Sequence, residues 1–177
     1  TQMIVKGHDF ENVTLVGILA ADLSLHANDF RAAERTFQLL TQAAGRAGRG
    51  EKAGEVVIQT YSPEHYCIVT AAAQDYEEFY RQEIAYRTML CYPPVWEMLT
   101  VLLAGPSEEE CKQTAQRMAR VIQNSGIRVI GPGEASLAKV NDIYRQVLYV
   151  KEKDYKELVK VKDRLELWID RQELPKD

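Results

Sequence analysis

The sequence predicts an α/β protein in two parts, a unit built on a parallel sheet followed by a small α+β sandwich domain. Three observations carry this. VTLVGILAADL, residues 13 to 23, is a nearly continuous apolar run of the kind found in a buried parallel strand. A helical stretch and a second strand pattern, GEVVIQTYS at 54 to 62, follow it, and strand–helix–strand in that order builds a parallel sheet. Beyond Pro93-Pro94 the pattern becomes β-α-β-β-α, the order of a small sandwich.

After the first strand, Asp29 is placed to cap a helix running from Phe30 to about Gly48, with Phe37, Leu40 and Ala44 facing the sheet and Gly48 and Gly50 ending it. Ser62 before Pro63 reads as an N-cap and first helical residue. Residues 63 to 92 are helical with a break near Gln74, and Asp75-x-x-Glu78 starts the second piece. Its Tyr76, Phe79, Tyr80, Ile84, Tyr86 and Leu90 have two readings: stacking on bases, or the commoner fate of packing on neighbouring elements. Tyr92-Pro93-Pro94 stops this helix and marks a boundary. The second part opens on strand WEMLTVLLAG, 96 to 105. Ser107 with Glu110 forms a capping box for a helix reaching about Asn124, closed by Gly126. RVIGP, 128 to 132, is a short strand, GPGEASLAKVN a loop, and IYRQVLYVK, 143 to 151, the next strand. Asp154 starts a long helix with Leu158, Val161, Leu165, Trp168 and Ile169 on one face. One more strand would complete the pattern. The opening TQMIVKGHDF, without an initial methionine, suggests a fragment.

The chain has 177 residues and a formal charge of −4. Residues 1 to 95 hold 8 Lys+Arg against 12 Asp+Glu, and residues 96 to 177 hold 14 against 14, so neither half is the basic body of an autonomous duplex binder. No apolar run is long enough for a membrane helix. Cys67, Cys91 and Cys111 are odd in number and widely spaced, and His8, His26 and His65 are scattered. They read as reduced cytosolic thiols and non-ligating imidazoles, so no metal is expected in this segment.

One stretch points to chemistry. In QAAGRAGRG, 42 to 50, Gln42, Arg46 and Arg49 stand at i, i+4 and i+7, which on a helix places them in a narrow stripe of one face. Ala43, Ala44, Gly45, Ala47 and Gly48 between them leave room for another backbone or a ligand. Two guanidiniums on one stripe suit a multiply charged oxyanion such as a triphosphate. The plainer reading is a solvated helix face with small residues for packing. The KEKDYKELVKVKDR run at 151 to 164 is likewise read as a solvated helix face.

The surrounding words discriminate. TQMIVKGHDFENVTLV, then DFRAAERTFQLLTQAAGRAGRG, resembles motifs V and VI of superfamily 2 helicases. With the later QTYSPEHY it resembles more narrowly the primosomal protein N′ (PriA) family of replication-restart DNA helicases. The likeness is close over residues 1 to 92 and looser beyond, through YPP, the IGP turn and YRQVLYVK. It implies a two-lobed, RecA-like motor that hydrolyses ATP with Mg²⁺ and moves 3′ to 5′ along DNA. Residues 1 to 62 are then the C-terminal part of lobe two, 63 to 95 a helical connector, and 96 to 177 the family's C-terminal α+β domain. The resemblance gives Gln42, Arg46 and Arg49 the motif VI role, with the arginines approaching the γ-phosphate. It places Gly7 and Asp9 beside the nucleotide, and Thr1 on the nucleic-acid backbone.

The family's partners follow as expectations: branched forks and single-stranded DNA, single-stranded-DNA-binding protein and other primosome proteins, in the bacterial cytoplasm at the nucleoid. Zinc is expected in the parent protein and not in this segment. No G-x-x-x-x-G-K-[ST] loop or DExH stretch occurs here, so this polypeptide alone is expected to be inactive as an ATPase. The alternative is a non-catalytic DNA- or protein-binding module with a degenerate helicase half.

Overall fold

A computed structural model describes residues 12–48 and 52–171. The chain divides into two compact units, Thr1–Tyr86 and Arg87–Asp177. It is mixed α/β, as the sequence predicts, with a parallel two-stranded sheet in the first unit and an antiparallel three-stranded sheet in the second.

In the first unit β1 (Leu15–Ile18) pairs in parallel with β2 (Glu55–Ile58), Leu15 opposite Glu55 and Ile18 opposite Ile58. The helix α1 (Ala32–Ala44) lies between them in sequence. The run at 13 to 23 is therefore not one buried strand. It pairs for four residues, turns left-handed at Ala20 (φ 51°) and winds into a short 3₁₀ turn, Ala21–Leu23. Leu15 and Val57 stay exposed, so one face of the described sheet is open. Two helices follow, α2 (Tyr66–Ala73) and α3 (Tyr76–Met89), the second crossing the division between units. Phe37 and Leu40 of α1, Cys67, Ile68 and Ala71 of α2, and Phe79 of α3 form the core, with the Phe37 and Phe79 rings stacked at 4.2 Å. Burial pushes the Cys67 thiol up to about 12, leaving it a packing group, not a nucleophile.

Several local expectations shift. Ala43, not Ala44, completes the buried face of α1. Asp29 does not cap that helix: it accepts from Arg31 N–H at 2.9 Å and pairs with Arg35 at 2.8 Å, a turn before the helix starts. The cap of α2 is His65, whose Nδ1 accepts from Cys67 N–H; Ser62 lies a turn earlier, its carbonyl accepting from His65 N–H. The break at Gln74 is present, in a left-handed conformation with φ 52°. Asp75 accepts from Glu78 N–H at 2.9 Å to begin α3, as the D-x-x-E pattern predicts. Of the α3 aromatics only Phe79 is buried, and Tyr76, Tyr80 and Tyr86 are exposed.

The second unit follows the predicted order: β3 (Glu97–Gly105), α4 (Glu108–Gln123), β4 (Val129–Val140), β5 (Ile143–Glu152) and α5 (Tyr155–Arg171). The sheet order is β3-β5-β4, all antiparallel. Met118, Ala119 and Ile122 of α4 and Leu158, Val161 and Leu165 of α5 pack on Leu148 and Val150 of the central strand. Ser107 Oγ accepts from Glu110 N–H, capping α4 as expected, and Gly126 (φ 77°) follows its end.

The strand β4 runs well past the predicted 128 to 132 and absorbs most of the stretch expected to be loop. Its pairing shifts register between Ile130 and Gly133 and again between Glu134 and Lys139, irregularities that glycine permits, with Gly131 at φ 101°. Asn141 and Asp142, both left-handed, make the two-residue hairpin turn into β5. The segment after α3 belongs to this unit. Lys151 Nζ donates to Leu90 O at 2.9 Å and lies 3.4 Å from the centre of the Tyr92 ring.

Candidate functional site

Of the residues singled out from sequence, Gln42 and Arg46 fall within the described structure. Thr1, Gly7, Asp9 and Arg49 lie outside the described residues. Gln42 is exposed on the last turn of α1.

Arg46 is not on a helix, which corrects the stripe. The helix stops at Ala44 and residues 45–48 form a turn. Arg46 N–H donates to Ala43 O and Ala47 N–H to Ala44 O, both at 3.1 Å, the i to i+3 bonds that tighten a helix end. Gly48 N–H then leaves the helix and donates to Val13 O at 2.9 Å, just before β1. Two glycines within four residues weaken the helix, and Gly48 takes φ 71°. Arg46 is half-buried, with its Nε enclosed.

The cleared space around this turn is used by the chain itself. A Cβ placed on Gly54 would meet Gly48 N at 2.2 Å and the Ala47 carbonyl carbon at 2.5 Å. The return into β2 thus passes against the backbone of the arginine turn. Two hydrogen bonds fix the arrangement: Gly48 to Val13 on one side, and Glu55 N–H to Thr14 O at 2.8 Å on the other. Together they hold the Arg46 turn at the N-terminal end of the parallel pair.

A second constellation has no counterpart in the sequence motifs. Asp22, buried in the 3₁₀ turn after β1, accepts from Thr60 Oγ1 at 2.6 Å and from Tyr61 N–H at 2.8 Å. It ties together the C-terminal ends of the two strands. The hydroxyl of Thr60, then the Tyr61 amide, hold its carboxyl below the ordinary 3.8. No spacing rule joins residues 22 and 60; the only signal is an acidic residue ending an apolar run. A depressed carboxyl stabilises the fold above its unfolded pKa, and the contribution is lost as pH falls through the lower folded value. We expect Asp22→Asn to lower stability at neutral pH and to flatten the acid limb of a stability–pH curve below about pH 4, as read by thermal melts across pH. An unchanged acid limb would remove Asp22 from this role.

Among the described residues no group of His, Cys, Asp and Glu could hold a metal, and no helix is long and apolar enough to cross a membrane.

Residues 88–174 match the family model of the primosomal protein N C-terminal domain. The chain is similar to the replication restart protein PriA of Bacillus subtilis, 46% identical over 161 residues, covering 89% of this chain and 20% of that protein. It is 42% identical over 164 residues to the replication restart protein PriA of Synechocystis, covering 91% and 19% respectively. With that of Treponema pallidum it shares 40% over 154 residues, covering 85% and 23%. It spans about a fifth of the length of these curated relatives. With similarity running along most of its length and the family model covering the three-stranded sheet, the chain belongs to the PriA family of replication restart proteins.

Proposed function

We propose that the first unit supplies the motif V and VI half of the ATP site of a 3′-5′ DNA helicase that restarts replication at stalled forks. The second unit then grips DNA or partner proteins. The observation that carries this is the Gly48–Val13 hydrogen bond. It fastens the Arg46 turn to the entry of β1, and Gly7 and Asp9 precede Val13 by only six and four residues in the sequence. That closeness in sequence to the strand on which the arginine turn is anchored is what supports reading the two motifs as parts of one site.

The residues present suit a triphosphate. An arginine on a tight, glycine-flanked turn, with the exposed amide of Gln42 four residues before it at the end of α1, is a donor set for phosphate oxygens. ATP with Mg²⁺, held by the rest of the motor, would supply the reacting γ-phosphoryl group. Gln42, Arg46 and Arg49 would orient it and neutralise the charge that spreads over its oxygens. An arginine delivered from a second lobe makes hydrolysis wait for the cleft to close. Thr1, at the start of motif V, is assigned to the nucleic-acid backbone. Single-stranded-DNA-binding protein and other primosome proteins are the proposed protein partners.

The chain alone, without a phosphate-cradling loop or a metal carboxylate stretch, should not hydrolyse ATP. A DNA-stimulated ATPase assay on the isolated chain checks this, and activity there that Arg46→Ala abolishes would overturn the assignment. In the protein joined to its nucleotide-binding lobe, deleting residues 96–177 should weaken fork binding and spare much of the ATPase. The second reading, a binding module with a degenerate helicase half, expects that deletion to remove the only measurable function.

A further inference from the structure

The sheet of the second unit has a face turned away from α4 and α5, and its chemistry is one-sided. In antiparallel pairing, residues directly opposite share a face. Leu148 and Val150 point into the helix-covered core, so Arg145, Val147, Tyr149 and Lys151 lie on the outer face. Leu102 is opposite Val147, and Ile130 is opposite Tyr149. The three carboxylates within the strands all take the other alternation. Glu97 pairs with Glu152, in phase with Val150, and Glu134 pairs with Gln146, in phase with Leu148.

The outer face therefore carries cations and no acid from any of its strands. Arg128, exposed immediately before β4, alternates to the side of Ile130, and its charge helps to lower the pKa of Lys151 after the larger effect of burial. Lys151 is engaged by Leu90 O and the Tyr92 ring. Arg145 is not engaged in this way: its Nε is enclosed and makes no hydrogen bond among the described residues. Between the two arginines lies apolar and aromatic surface that is open at its flanks, with Leu102 57% and Ile130 41% exposed, Tyr149 half-buried between them and Val147 buried.

Cations without counter-charges among the described residues call for a polyanion, and exposed aliphatic side chains around a half-buried tyrosine call for one with flat apolar faces. A duplex keeps its bases stacked inside, and an acidic peptide has no regular series of flat faces. Single-stranded nucleic acid has both. We propose that this outer face of the β3-β5-β4 sheet is a docking surface for single-stranded nucleic acid, with Tyr149 stacking on a base and Arg128 and Arg145 holding neighbouring phosphates. It rests on the reading of the second unit as a DNA-binding domain and assigns that unit its surface and strand preference.

The test is fluorescence anisotropy of a labelled oligothymidine with the 177-residue chain at several salt concentrations. Arg128→Gln and Arg145→Gln should each weaken binding and reduce the salt slope by about 0.7 for each phosphate that is no longer neutralised. Tyr149→Leu should weaken binding about fivefold or more with the salt slope unchanged. Arg117→Gln, on the exposed side of α4, should change nothing. Arg128 is exposed, so its variant bears on the surface even where Arg145→Gln disturbs folding.

The proposal fails if oligothymidine does not bind or if the three variants bind like the parent. It also fails if an oligoglutamate peptide binds more tightly than the oligonucleotide through the same arginines. If deleting residues 96–177 weakens DNA binding while the face variants do not, the surface is wrong and the DNA-binding role of the unit stands.

Discussion

Arg46→Ala, on the proposed assignment of the first unit to an ATP site and introduced into the protein with the proposed nucleotide-binding lobe, should lower the rate of DNA-stimulated ATP hydrolysis by about 10³ to 10⁵, roughly 4 to 7 kcal/mol of barrier. DNA affinity should be nearly unchanged. The expectation follows from where charge appears. Phosphoryl transfer spreads negative charge over the equatorial oxygens, so a guanidinium placed against them gains most at the transition state. The turn at 45–48 suits that task because it is pinned at both sides, by Gly48 to Val13 and by the return through Gly54. Arg46→Lys should recover little, since an ammonium lacks the planar two-pronged donor geometry. Loss of DNA binding in step with loss of hydrolysis would place Arg46 in the DNA path instead.

Gly54→Ala should destabilise the first unit by about 3 kcal/mol, the upper range for overpacking, and should lower ATPase activity through misplacement of the arginine turn. The added Cβ would sit 2.2 Å from Gly48 N and 2.5 Å from the Ala47 carbonyl carbon, both backbone atoms that no rotamer change can move. Relief requires the turn to lift, which strains the Gly48–Val13 hydrogen bond. Gly17→Ala is the control, because a Cβ there meets nothing within 4 Å. Chemical denaturation of the two variants reads the difference. Equal stability would mean that the turn and the return strand are not packed as described.

Much of the second unit is legible in the sequence because its signals are local. Ser107 with Glu110, and the spacing of Leu158, Val161 and Leu165, each act over a few residues. The strand β4 beyond Gly131 is not, because glycine and proline that normally mark loops here accommodate register shifts inside a ladder made by Val147 and Gln146 of a different segment. In the first unit, the words around Gln42 and Arg46 point to the family to which the chain belongs. The helical stripe is wrong in geometry because the same glycines that suggest room for a ligand end the helix at Ala44. The Asp22–Thr60–Tyr61 tie joins residues far apart in sequence, and only the parallel pairing of β1 with β2 brings them together.

The most direct measurement is the affinity of the lobe-complete protein for ADP with aluminium fluoride, a mimic of the transferring phosphoryl group, set against its affinity for unhydrolysed ATP analogue. With Arg46 replaced by alanine, the mimic should bind about 100-fold or more weakly while the ATP analogue changes little. Equal weakening of both, or of neither, would contradict a role for Arg46 in stabilising the transition state.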